Sequence, residues 1–289
     1  MSELDAASEL EGRGLELPDG LTLDWLGVSG FLITYQGQAL IIDPYLSRVP
    51  LRTMLLRRRA LPDPAAIAQF ATLPEGVTLA GVLVGHTHFD HAVDAPAIAA
   101  EHGVRAYGSS SLAQLMRLHG VGHLATEVVT GQPYELGPFV VTFTPSKHAK
   151  LLLGRKVPMA GELTCDQVGG LIPTAYKCGA VYGIRIEVAG MRFYHQGSAD
   201  LDDAALGSEP VDVFLAGVAG RSFTPDYWQR ILPKLDPAIV VPTHYDNFFT
   251  PLGKTRDLVR GVKLAEVPAE IAAVSGDAHV AGVPRVDAG

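Results

Sequence analysis

His86, His88, Asp90 and His91 fall within one heptapeptide, GHTHFDH, at residues 85–91. Three imidazoles and a carboxylate are poor material for an apolar core, and they follow directly on the apolar run VTLAGVLV. His86 and His88 are two apart. In extended or irregular backbone just beyond a strand, that spacing turns both rings to the same side, so one metal ion could take both. Asp90 and His91 are adjacent and diverge, which suits a second ion beside the first. Zinc takes imidazole nitrogen at about 2.0–2.1 Å and carboxylate oxygen at about 2.0–2.2 Å. The set contains no thiolate, so zinc, manganese and iron all match its donors. His102, His119, His123 and His279 stand alone and read as ordinary surface or core residues.

The elements that must position this cluster follow from apolar periodicity. VTLAGVLVG is a continuous apolar run, as expected of a strand buried on both faces. HAVDAPAIAAEHG reads as a helix ending at Gly103, and SSLAQLMRLHG as a second with a serine cap. LTLDWLG and FLITYQGQALIIDP read as strands, the latter turned at Gly37. FVVTFTPS leads to His148, and VYGIRIEVAGMRFYHQ reads as a hairpin turned at Gly190. VDVFLAGV is another buried strand. TPDYWQRILPKL is a helix with Thr224 as cap and Pro225 at its first position. AIVVPTHYDNFF carries His244 at the end of one more strand. Polar residues therefore collect just past strand C-termini, at Asp43, His86 to His91, His148, Asp200 and His244. That edge is where layered α/β proteins place their sites. Two segments break the pattern: 46–75, with five arginines among its prolines and leucines, and the Leu- and Lys-rich 149–178.

Composition narrows the partners. A formal net charge of −8 over 289 residues disfavours nucleic acid and anionic surfaces as default partners, because the long-range field repels them. The two cysteines, Cys165 and Cys178, form no CxxC pattern and suggest reduced thiols. The first 20 residues read as a loose acidic lead-in without signal-peptide character, followed by a single domain over 21–289. No apolar run approaches the roughly 20 residues that span a bilayer. A cytoplasmic location is expected, with homo-oligomerisation left open.

HTHFDH matches the HxHxDH motif of the metallo-β-lactamase superfamily, and the chain resembles that superfamily over a long stretch. LGVSGFLITYQGQALIIDP is similar to its opening strands and Asp-containing turn, while FTPSKH, GSAD and PTHYDNF fall where its remaining ligands occur. PTHYDNF and the opening look most like the branch containing ascorbate-6-phosphate lactonase and, more distantly, N-acyl-phosphatidylethanolamine phospholipase D. The resemblance implies an α/β fold, a four-layer αββα sandwich with the site at one edge of the sheets. It implies two divalent metal ions, zinc first, with manganese or iron as alternatives. His86, His88 and His148 would hold the first ion, and Asp90, His91 and His244 the second. The superfamily's bridging aspartate has no direct counterpart in YHQGSADL. Asp200 is favoured for the role, because a dinuclear site without a bridging carboxylate loses charge compensation and a ligand. Ser198 stands there if the loop is unshifted. Asp43 is a candidate to orient a ligating imidazole. His195, Tyr245 and Asp246 are candidates for orienting or substrate-contact roles.

The chemistry implied is attack by a metal-bridging hydroxide, oriented by Asp90, on a carbonyl or phosphorus centre. No GxSxG or cysteine nucleophile accompanies it. His88 stands where oxygen-reducing superfamily members carry glutamate, which argues for hydrolysis. The expected substrate is an anionic small molecule, a lactone, ester or phosphodiester. Arg and Lys in the two irregular segments could hold its charge, and Leu and Met its apolar part. Arg57 to Arg59 could equally be solvated arginines. The alternatives are a hydrolase of lipid phosphodiesters, a metal-binding protein with a degenerate site, and a redox di-iron protein.

Overall fold

The computed structural model describes residues 2–151, 154–254 and 257–286. Thirteen strands and eight helices are assigned. The strands are β1 (Thr22–Gly27), β2 (Gly30–Tyr35), β3 (Gln38–Ile42), β4 (Thr78–Leu83), β5 (Ala106–Gly108), β6 (Ala125–Glu127), β7 (Pro133–Leu136), β8 (Phe139–Ser146), β9 (Val181–Val188), β10 (Met191–Gln196), β11 (Val213–Gly217), β12 (Ile239–Thr243) and β13 (His279–Val280). The helices are α1 (Glu3–Gly12), α2 (Leu51–Leu55), α3 (Pro64–Phe70), α4 (Phe89–Ala92), α5 (Ala95–His102), α6 (Ser110–Leu118), α7 (Tyr227–Leu235) and α8 (Val267–Ala272).

The strands form two sheets. The first has six strands in the order β1-β2-β3-β4-β5-β6, and the second has seven in the order β13-β12-β11-β10-β9-β8-β7. Each sheet mixes an antiparallel hairpin region with a parallel region. Side chains on a strand alternate between faces, and the first sheet divides its residues accordingly. Ile33, Leu40, Ile42 and Leu83 join Phe139, Val141, Phe143, Ile184 and Phe193 of the second sheet in one apolar cluster. Leu32, Ile41, Val82 and Val84 point the other way, onto Ile98 and Ala99 of α5 and Leu112 and Leu115 of α6. The buried residues of α7 and α8 join the cluster of the second sheet. The result is the expected sandwich of two sheets with helices outside.

Three local readings change. The N-terminal lead-in is not loose: Ser2 and Asp5 form a reciprocal capping box, and α1 buries Ala6, Ala7 and Leu10 against the core. The helix expected after His91 is two pieces, α4 and α5, with Pro96 in the first turn of the second. Helix α7 begins at Tyr227 rather than at Pro225, and the Thr224 hydroxyl instead donates to the Ala199 carbonyl at 2.6 Å. No helix among the described residues is long and apolar enough to cross a membrane.

Candidate metal centre

Strands β3 and β4 run parallel, and the centre is built at their C-terminal ends. Asp43 follows β3 at φ 42° and is fully buried. Its Oδ1 accepts the Gly85 N–H at 2.7 Å, and its Oδ2 accepts His91 Nδ1–H at 2.8 Å. One carboxylate therefore fixes both the start of the GHTHFDH loop and the ring that ends it. The Thr87 N–H donates to the Cys178 carbonyl at 2.9 Å, tying the middle of the loop to the 149–178 segment. Gly197, after β10, lies against this pair. A side chain there would place its Cβ 2.9 Å from Asp43 Oδ2 and 3.1 Å from His91 Cε1.

The remaining histidines come from the second sheet. His148 follows β8, and His244 follows β12 at φ 58°. The His244 N–H donates to the Val28 carbonyl at 2.8 Å, and Asp246 Oδ1 accepts the Val28 N–H at 2.7 Å. The turn between β1 and β2 is thereby clamped to the turn that carries His244.

Two groups of donors result. His86, His88 and His148 form one, and Asp90, His91 and His244 the other; within each, the candidate ligand atoms lie within 4.8 Å of one another. The groups adjoin, with the His86 and His91 ring centroids 3.9 Å apart. Asp90 Oδ2 is 3.4 Å from His244 Nε2 and 3.7 Å from His91 Nε2.

The donor set fits divalent ions on tautomer grounds. A carbonyl or ionised carboxylate can only accept, so a ring nitrogen bonded to one must carry the proton. His88 Nε2 bonds the Pro158 carbonyl at 2.9 Å, His148 Nδ1 the Ala149 carbonyl at 2.7 Å, and His91 Nδ1 the Asp43 carboxylate. In each neutral ring the other nitrogen keeps a free lone pair. His88 Nδ1 presents its lone pair to His86 Nε2 at 3.1 Å, a spacing that needs a proton or a cation to serve both. Such orienting bonds to the remote nitrogen are the usual companions of metal-ligating histidines.

The electrostatics agree. Burial, reinforced by neighbouring imidazoles, holds His86 well below its ordinary value, and burial brings His88 to about 4 and His148 to about 3. For His91 burial works downward, but the Asp43 and Asp90 carboxylates outweigh it and the net shift is upward. Burial would raise Asp90, yet His91 and His244 facing it hold it well below the carboxylate range. His86, His88 and His148 are thus held as neutral imidazoles and Asp90 as a carboxylate, the forms a divalent ion requires, whereas His91 would give up a proton on binding one.

The other expected residues divide. Asp43 takes the orienting position. Asp200 joins neither group: its Oδ1 is bonded by Arg230 Nη1 at 3.2 Å and by its own neighbour's Leu201 N–H at 2.9 Å. The bridging role expected of Asp200 finds no support in this geometry, where the Arg230 guanidinium holds its carboxylate outside both donor groups. Gly197 and Ser198 of that loop line the cleft, and Ser198 Oγ accepts the Ala149 N–H at 3.0 Å. His195 is buried behind Asp43, with Nε2 donating to the Ser29 carbonyl at 2.9 Å. Tyr245 packs on Trp25 at 4.8 Å between centroids and reaches Glu11 at 3.0 Å. Asp246 pairs with buried Arg48 at 2.8 Å. None of His195, Tyr245 and Asp246 lines the cleft. Arg48 in turn lies across Gly27, where a Cβ would come within 1.9 Å of Nη2.

The cleft over the donors has a volume of about 410 Å³, and sequence reasoning missed its aromatic walls and Arg260. Phe89, Phe223, Phe248 and Phe249 are aromatic, and Met54, Leu151 and Met159 come from the two irregular segments, which do reach the cleft. Arg260 is its one basic side chain besides the histidines, and it has no ion-pair partner among the described residues. The FF pair directly after PTHYDN was a usable signal; nothing local marks Arg260.

Comparison with known proteins places this architecture. The profile of the family described as "Beta-lactamase superfamily domain" matches residues 22–244. A UPF0173 metal-dependent hydrolase of Carboxydothermus hydrogenoformans is 26% identical over 79% of this chain and 86% of its own. One of Polynucleobacter asymbioticus is 29% identical over 77% and 73%. Among solved structures, the metallo-beta-lactamase fold protein YhfI from Bacillus subtilis superposes with a TM-score of 0.52 at 16% identity, over 92% of this chain and 98% of its own. CmlA, a diiron beta-hydroxylase from Streptomyces venezuelae, gives 0.56 at 13% identity over 94% and 54%. These structural likenesses concern the fold alone.

Proposed function

The chain belongs to the metallo-β-lactamase superfamily, and from that premise we propose that it is a metal-dependent hydrolase of a small ester, lactone or phosphodiester bearing an apolar arm and a negative charge. The observation that carries this reading is the convergence of His86, His88 and His148 with Asp90, His91 and His244 beneath an aromatic-walled cleft that His88, Asp90, His148 and His244 line.

His86, His88 and His148 would hold one divalent ion, and Asp90, His91 and His244 a second. Bound there, such ions supply a water of lowered pKa as nucleophile and polarise the bond to be cleaved. The chain's own residues do the rest. Asp43 keeps the His91 proton on Nδ1, so that Nε2 stays available. Asp90, ionised and facing the cleft, orients the attacking water by accepting from it. The phenylalanines and methionines exclude bulk water and take the apolar arm, while Arg260 at the wall pairs with the negative group.

The test is elemental analysis of the purified protein together with a panel of chromogenic lactones, carboxylic esters and phosphodiesters. Turnover of at least one class, abolished by chelation, restored by zinc or manganese and lost in His88→Ala, is the expected outcome. Metal-loaded protein inactive on every class would overturn the reading. One observation favours a second reading, a degenerate centre with little catalysis: among the described residues no carboxylate other than Asp90 joins either group. A stoichiometry of one ion or fewer per chain would select it.

A further inference from the structure

We propose that residues 51–59 form a docking lip for an anionic lipid bilayer. The segment reads LRTMLLRRR. Helix α2 at its start buries no residue, although a surface helix ordinarily hides an apolar stripe. Leu51, Leu55 and Leu56 are 47%, 72% and 59% exposed, and they make up half of the large apolar side chains that are exposed among the described residues. Leucines gathered in this way are not the scattered exposure of an ordinary surface.

Arg52, Arg57, Arg58 and Arg59 are interleaved with them. None has a carboxylate partner among the described residues, and nowhere else in the chain do three arginines stand in a row. The four cations are concentrated in nine residues of a chain with net charge −8, so they form a local patch and not part of a general basic field. Guanidiniums bond phosphates as planar forks, and leucines beside them reach the acyl boundary below the headgroups. A surface for single-stranded nucleic acid would instead call for aromatic platforms on which bases stack, and the segment has leucines in their place.

The lip is continuous with the cleft. Met54 lines the cleft, and Leu51 lines an adjoining hollow that shares Phe248, Phe249, Val259 and Arg260 with it. Docking through 51–59 would thus bring the cleft mouth to the lipid surface. The docking itself stands without the hydrolase reading.

The experiment is co-sedimentation of the full, metal-loaded chain with vesicles of phosphatidylcholine alone or mixed with phosphatidylglycerol. Binding to the mixed vesicles only, weakened by salt, is expected. Each arginine near an anionic surface contributes about fivefold, so Arg57→Gln/Arg58→Gln/Arg59→Gln should weaken binding by roughly a hundredfold. Leu55→Ser/Leu56→Ser should weaken it as well, and Arg192→Gln should leave it unchanged. All these positions are exposed, and thermal melting verifies that the variants fold. No binding by wild type, or binding indifferent to both lip variants, overturns the proposal. So does arginine-dependent binding to a nucleic-acid probe without vesicle binding. So does vesicle-free self-association that Leu55→Ser/Leu56→Ser dissolves, which would make the lip an interface between copies.

Discussion

Replacing Asp43 with asparagine changes shape hardly at all and charge completely, and the structure lets its effect be worked out. Asp43 accepts two donors at once, Gly85 N–H at 2.7 Å and His91 Nδ1–H at 2.8 Å, with no exposure to water. An amide has one accepting and one donating end. With its oxygen toward His91, its NH2 opposes the Gly85 N–H and leaves a buried donor unsatisfied, at about 1–3 kcal/mol. With its oxygen toward Gly85, its NH2 faces His91 Nδ1. The ring then accepts there and carries its proton on Nε2, the nitrogen nearest Asp90. That tautomer cannot ligate. Loss of such an orienting partner typically costs 10–100-fold in metal affinity, or about 1.4–2.7 kcal/mol. The variant must therefore show lower stability when metal-free, weaker metal binding, or a share of each. Chelator competition measures the second, and denaturant unfolding of the metal-free protein the first. Asp43→Asn with wild-type values in both assays would refute the orienting role of Asp43.

Asp200→Ala should retain the metal content of wild type, because its carboxylate is engaged by Arg230; a drop in ions per chain on elemental analysis would restore Asp200 as a ligand. Asp246→Ala leaves Arg48 buried without its carboxylate and should destabilise the fold by about 3–5 kcal/mol in denaturant titration, a cost absent if water reaches the guanidinium. Burial raises Asp94 to about 6 despite bonds from Ser47 and Leu46. A carboxyl raised in the folded state contributes stability below its unfolded value near 3.8 and loses it as pH rises through about 6. Relative to Asp94→Asn, metal-free wild type should lose about 2 kcal/mol between those pH values; a pH-independent difference would contradict this.

The parts of the centre that were legible are those encoded locally. HTHFDH behind a continuous apolar run carries its own geometry, since the strand fixes where the loop begins and the spacing fixes which rings share a side. The β10–turn stretch was less legible, because Ser198 and Asp200 are two apart and only the partner of Asp200, Arg230 on α7, settles which one turns outward. Arg48 and Asp246 are 198 residues apart, and a pair so distant leaves no local pattern. The cleft walls come from loops, where no period marks the side that a phenylalanine faces. In α1 the signal was present but faint: Ser2 with Asp5 is a cap, and Ala6, Ala7 and Leu10 make a narrow apolar stripe of small residues.

The donors are drawn from both sheets, His86 to His91 from the edge of one and His148 and His244 from the edge of the other. An ion in either group would therefore act as a cross-link between segments far apart along the chain. From His88 to His148 is 148 − 88 = 60 residues, and from His91 to His244 is 244 − 91 = 153 residues. Closing loops of such length removes conformational freedom from the unfolded chain, so coordination energy is also folding energy. With ions bound, unfolding would have to break that coordination before the two sheets could separate at this edge. With ions bound there, the lifetime of the folded state would depend on how slowly they are released.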